Sequence, residues 1–221
     1  MLRQPLSVAV KVISGRKEKN DLHPALFWSA LYAGIAALAL LILIRNGFSY
    51  LLYLAAPGVP VFAWHLWLVS RRAERRQAGV EVIATGVLSL SAAAIYWVGL
   101  GAYSPTGWLL WLWAWMQSAA SIVYAYLRLE QREWKILPDG AARWRVGRRA
   151  ALYTSFNLLA ALILAFFQMS PPFVFVPFLL QWIETLWGIA HPSMGWKPAR
   201  IGLRQTIVSA AWVISFIFVW R

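Results

Sequence analysis

Long apolar runs alternate with short basic ones from one end of this chain to the other. Seven stretches, 25–44, 48–69, 81–101, 107–127, 150–168, 173–190 and 203–220, are almost free of charge over about the 20 residues that a helix needs to cross a bilayer core. In that setting the backbone must satisfy its own hydrogen bonds, so the runs predict helices. The pattern is that of an all-α, polytopic transmembrane bundle of about seven spans, a single bundle over 25–221. Residues 1–24 precede it as a cytoplasmic or interfacial segment. Their short apolar piece comes before the basic cluster Arg16, Lys17 and Lys19, the reverse of a signal peptide.

The spans differ in detail. Pro57, Gly58 and Pro60 predict a kink or local unwinding in the second. Ser89, Ser91 and Ala92 to Ala94 form a small-residue stripe in the third that lets another backbone come close. Trp108, Trp111, Trp113 and Trp115 open the fourth, and at helical spacing they wrap its entry end as an aromatic belt. Pro177 interrupts the sixth. Two basic hinges separate the runs, at 71–76 and 128–149; in the larger, Pro138–Asp139–Gly140 signals a turn between two short arms, either amphipathic or a hairpin.

Charge orients the bundle. Five Lys or Arg precede the first run, four follow the second, seven follow the fourth and three follow the sixth. These nineteen lie on one side, against Arg45 and Arg221 on the other. The alternation is the positive-inside pattern for seven spans with the N-terminus in the cytoplasm. The net charge of +13 therefore reports topology, with attraction to anionic membrane lipids as a consequence, and not nucleic-acid binding. A mean hydropathy of +0.59 agrees. The chain has no cysteine, which removes disulfides, thiolate metal sites and cysteine nucleophiles, while its 15 Trp suit many interfacial helix ends.

Several segments, PLSVAVK, RRAERR, EVIATGVLSLSAAAIYWVG, SIVYAYLRL and above all GWKPARIGLRQTIVSAAW, resemble the YwiC-like family of bacterial membrane proteins, in register from about Pro5 to the C-terminus. The resemblance implies an all-α fold in a bacterial inner (cytoplasmic) membrane, and no particular reaction. It departs from the family at the start, where members begin with an extra hairpin bearing a His-Gly-Ala-Trp-like signature that nothing before residue 25 supplies. A site built on that signature would be missing here. Some family genes lie near genes of anaerobic respiration, an association and not a mechanism.

Candidate chemistry is sparse. Ionisable groups inside a bilayer are costly and default to functional candidates. Glu184 is the clearest, with Gln181, Gly188 and His191 on the same helical stripe. The seam reads either as a proton-linked, quinone- or cofactor-contacting face, or as a Glu bonded to a neighbouring helix. His65, between Trp64 and Trp67, offers an axial ligand for haem or chlorin, with His191 as a second. Lys197, Arg200 and Arg204, followed by Gln205, offer a phosphate or lipid headgroup site at a helix start, although topology alone would place charges there. Asn157, Gln117 and Gln168 read as interhelical hydrogen bonds worth about 0.6 kcal/mol each. Asp21 and Asp139 are the only Asp residues, too few and too separated for the Mg²⁺-diphosphate motifs of intramembrane prenyltransferases. Seven spans also do not divide into the matching halves of many transporters.

These features lead to a non-catalytic accessory or structural subunit, packed against other integral membrane subunits of a respiratory or photosynthetic complex. The alternatives are a small transporter or quinone-interacting protein working through Glu184, and a haem or chlorin carrier through His65.

Overall fold

The computed structural model describes residues 3–71 and 78–220. The first basic hinge therefore lies outside the described residues apart from Arg71, whose guanidinium sits over the Trp67 ring. The described residues form helices and no strands: α1 (Arg3–Ile13), α2 (Leu22–Arg45), α3 (Ala55–Ser70), α4 (Ala78–Leu88), α5 (Leu90–Leu100), α6 (Thr106–Gln131), α7 (Gly140–Phe166), α8 (Phe175–Ala190) and α9 (Pro198–Val219), with short 3₁₀ turns at Lys19–Asp21 and Ser49–Leu54. Five of the helical stretches are long and apolar enough to cross a membrane: Lys19–Arg45, Ser49–Ser70, Ala78–Leu100, Gly140–Phe166 and Pro198–Val219. The chain is thus built as a multi-pass membrane protein. The other two predicted runs also form helices. α6 has 26 residues but is diluted by Trp, Gln and Ser, and α8 has 16 residues, about 24 Å of helix against a hydrocarbon core of about 30 Å.

The chain divides into two compact units, Met1–Ala114 and Trp115–Arg221, with the division inside α6. In the first, α1 buries Ala9 and Val12 and packs on α2 and α3. It stops at Gly15, whose positive φ of 68° lets the Arg16 amide reach back to the Lys11 carbonyl at 2.7 Å. The second predicted span shows the effect of its prolines: Ser49–Leu54 winds as a 3₁₀ helix and the α-helix begins only at Ala55, so that Pro57 falls in the first turn where no amide donor is needed. The third is interrupted at Ser89, between α4 and α5. Ser89, Ala93 and Trp97 are all buried on one stripe, whereas Ser91 is exposed.

Trp97 is the centre of this unit. It is fully buried, donates from Nε1 to the Ser104 carbonyl at 2.6 Å, and is packed edge-on by Trp108 and Tyr50. Gly107 faces the indole at a point where a Cβ would collide with it. Here the aromatic-belt expectation needs correction. Trp113 is 0% exposed, and Trp111 donates to the Gly86 carbonyl at 2.7 Å. Trp113 is thus an interior side chain, and Trp111 is half-buried with its N–H bonded to α4.

In the second unit α7 carries a buried stripe of Gly147, Ala150, Thr154, Asn157 and Ala161, and packs most extensively on α8. Gly147 lies against Ile189 so closely that a Cβ would overlap it. The predicted arms of the second basic hinge are continuations of α6 and α7. Asp139 caps α7, its Oδ1 accepting the Ala142 amide at 2.7 Å, so the turn is a helix start and not a hairpin. Gln168, expected to bond between helices, instead closes α7 in the left-handed region at φ 57°.

Candidate functional site: a polar seam in the second unit

On α6, Gln117, Ser121, Tyr124, Arg128 and Gln131 recur at the spacing that places side chains on one helical face. They meet the α8 stripe of Gln181, Glu184 and Gly188, and α9 adds Arg204 and Ser209. The result is a polar seam through an otherwise apolar unit, extending about 21 Å along α6 from Gln117 to Gln131.

At its inner end, Gln181 is buried and donates from Nε2 to the Gln117 carbonyl and to Ser121 Oγ, both at 3.0 Å. The Gln117 amide reaches Ser121 at 3.1 Å and Ser209 at 3.3 Å. Asn157 donates from α7 to the Met116 carbonyl at 2.7 Å. Gln117 and Asn157 thus act as the interhelical bonds the sequence predicts.

In the middle stands Glu184. Arg204 grips its carboxylate with two parallel bonds, Nε to Oε1 at 2.6 Å and Nη2 to Oε2 at 2.8 Å. The Tyr124 hydroxyl donates to Oε1 at 2.9 Å. The Glu184 side chain is 12% exposed and that of Arg204 is 31% exposed. The back of the guanidinium lies over the Trp187 ring, 4.0 Å from its centroid. Such a fork is the strongest pairing the two groups make, and it compensates the cost of holding a carboxylate away from water. Tyr124 can come this close only because position 188 is glycine, since a Cβ there would strike the phenol.

The outer end is a helix-terminus clamp. A helix leaves its last four carbonyls without internal partners, and its C-terminus carries partial negative charge. Arg128, 1% exposed, sends Nη1 to the Gly188 carbonyl at 2.7 Å, the His191 carbonyl at 2.8 Å and Gln131 Oε1 at 2.9 Å. Gln131 Nε2 also donates to the Gly188 carbonyl, and Arg143 of α7 donates to that of Ala190 at 2.6 Å. The favour is returned, because Ser193 Oγ donates to the Arg128 carbonyl at 2.7 Å and the Gly195 amide to that of Arg132 at 3.1 Å. Two helix C-termini therefore cap each other, with both guanidinium groups on the carbonyls that end α8.

The predicted site residues separate as follows. Gln181, Glu184 and Arg204 belong to the seam. Lys197 is the exposed residue before α9, and Arg200, also exposed, stacks on Trp196 at 4.1 Å. His191 ends α8, with its ring stacked on Trp187 at 4.7 Å and Nδ1 lying 3.1 Å from the Trp187 carbonyl. His65 is buried in α3, in the first unit. Tyr124, Arg128, Gln131 and Ser193 are the members that sequence reasoning misses. Among the described residues no three His, Cys, Asp or Glu side chains gather as a metal-binding group.

No family model, curated protein or solved structure matches the chain.

Proposed function

We propose that this chain is a non-catalytic membrane subunit of the YwiC-like kind: about seven spans with the N-terminus in the cytoplasm, packed against other integral membrane subunits of an energy-transducing complex, respiratory or photosynthetic, in a bacterial inner membrane. The observation that carries this reading is the occupation of Glu184. Both carboxylate oxygens are held by Arg204, and Tyr124 takes a further bond, so the clearest intramembrane acid is engaged in joining α6, α8 and α9. A second support is the surface of α2. Only 6% of the apolar window of Lys19–Arg45 is buried inside the chain, and Leu26, Phe27, Trp28, Ile35 and Leu38 are exposed. Such a face suits lipid and partner helices.

Replacing both partners tests the role of Glu184 by complementation of a strain lacking the gene. A buried ion pair can be exchanged for apolar residues with little loss, whereas removing one partner strands the other. Glu184→Leu alone should lower the amount of chain in the membrane, and Glu184→Leu with Arg204→Leu should restore both abundance and complementation. A double variant that is abundant but fails to complement would assign Glu184 to transport or quinone chemistry instead.

The topology has its own test, made simple by the absence of cysteine. Single cysteines at Ser104 and at Lys135 should react with an impermeant maleimide from opposite sides of the membrane, Lys135→Cys from the cytoplasmic side. Reaction of both from one side would refute the seven-span arrangement.

A further inference from the structure

On α7 the stripe opposite the buried one changes character along its length. At 3.6 residues per turn, Arg145, Arg148, Arg149, Leu152, Phe156 and Leu159 share one face. All six are exposed, and Leu152, Phe156 and Leu159 are 57–66% exposed. The three arginines have no carboxylate partner among the described residues, and α7 contains no acidic residue. Arg149 is steadied by the Tyr153 ring one turn on, at 6.0 Å, and Trp144, 49% exposed, adjoins the basic turn. Arg143, the remaining arginine of this segment, is directed elsewhere, to the Ala190 carbonyl.

We infer that this face is a binding site for an anionic phospholipid, its phosphate held by Arg145, Arg148 and Arg149 and one acyl chain lying along Leu152, Phe156 and Leu159. Charge complementarity selects the headgroup, and the spacing selects a lipid over a free anion. Leu152 begins one turn below Arg149, and the stretch from Arg149 to Leu159 covers about 15 Å, half of a hydrocarbon core of about 30 Å. Each cation near an anionic membrane surface contributes roughly 1 kcal/mol, about fivefold in affinity. Nothing in this depends on the subunit reading; it requires only that α7 crosses the membrane.

The experiment uses the full chain reconstituted in nanodiscs. Leu152→Cys, labelled with a fluorophore as the single thiol, should be quenched more strongly by nitroxide-labelled phosphatidylglycerol than by nitroxide-labelled phosphatidylcholine at equal mole fraction, by at least the roughly fivefold in relative association that a single cation contributes. Adding Arg145→Gln, Arg148→Gln and Arg149→Gln should equalise the two lipids. Neutralising Arg16, Lys17 and Lys19 instead, an equal loss of charge, should leave the preference intact. Equal quenching in the chain that keeps its arginines would overturn the site, whether or not the triple variant folds. So would loss of the preference in the Arg16, Lys17 and Lys19 variant, or its abolition by millimolar inorganic phosphate, which would indicate a simple anion site.

Discussion

Arg128→Met should lower the thermal midpoint of the detergent-solubilised chain more than any other single change in the seam. The methionine fills most of the space but gives no donor, leaving the Gly188 and His191 carbonyls and Gln131 Oε1 with one shared partner fewer. Stripping the partner from a buried polar group costs about 1–3 kcal/mol per group. The guanidinium also opposes the negative end of α8, an effect of up to about 2 kcal/mol in partly buried geometry. Arg128→Lys should recover only part of the loss, since an ammonium can donate to the same carbonyls but cannot reproduce the stacking of the planar guanidinium on Tyr124 and Trp196. A midpoint unchanged in Arg128→Met would mean that the clamp does not hold the unit together.

Gly188→Ala should be nearly as damaging, although it adds a single methyl group. The new Cβ would collide with the Tyr124 hydroxyl and the adjoining ring carbons, which are fixed from behind by α6. Overpacking of this kind costs about 1–3 kcal/mol. Here it would also push Tyr124 away from Glu184. Pairing it with Tyr124→Leu should return a good part of the stability, because the collision disappears while the Glu184–Arg204 fork remains. A double-mutant cycle on thermal midpoints measures this coupling directly, and additive losses would show that the two positions do not touch.

Both predictions depend on residues of different legibility. The apolar runs are plain, because a bilayer demands them, and the predicted 150–168 and 203–220 fall within or close to Gly140–Phe166 and Pro198–Val219; the helix ends are less so, since the polar first turns of α7 from Gly140 read as part of a basic hinge. Half of the seam was also visible. Gln181, Glu184 and Gly188 at helical spacing announce a polar stripe on α8. What faced it was harder to see, since Arg128 at the end of an apolar run looks like one more topological charge, and the sequence does not reveal that α6 extends to Gln131 and turns it inward. The signal existed in the 117, 121, 124, 128, 131 series, three polar or amphipathic residues on one face of the predicted span 107–127 and two more at the same spacing beyond its end. The tryptophans of α6 misled for a related reason. Their amphipathic rings suit an interface, but an indole with a donor partner, such as Trp111 on the Gly86 carbonyl, suits an interior as well.

The central claim is that this membrane chain works as a packed subunit, with its polar groups joining its own helices. Extraction of the full chain from its native membrane in mild detergent, through a C-terminal tag, followed by native electrophoresis and mass spectrometry of the companions, tests it most directly. The account predicts migration far above 25.0 kDa plus detergent, with other integral membrane proteins in fixed ratio. Recovery of the chain alone, folded and without companions, would contradict it.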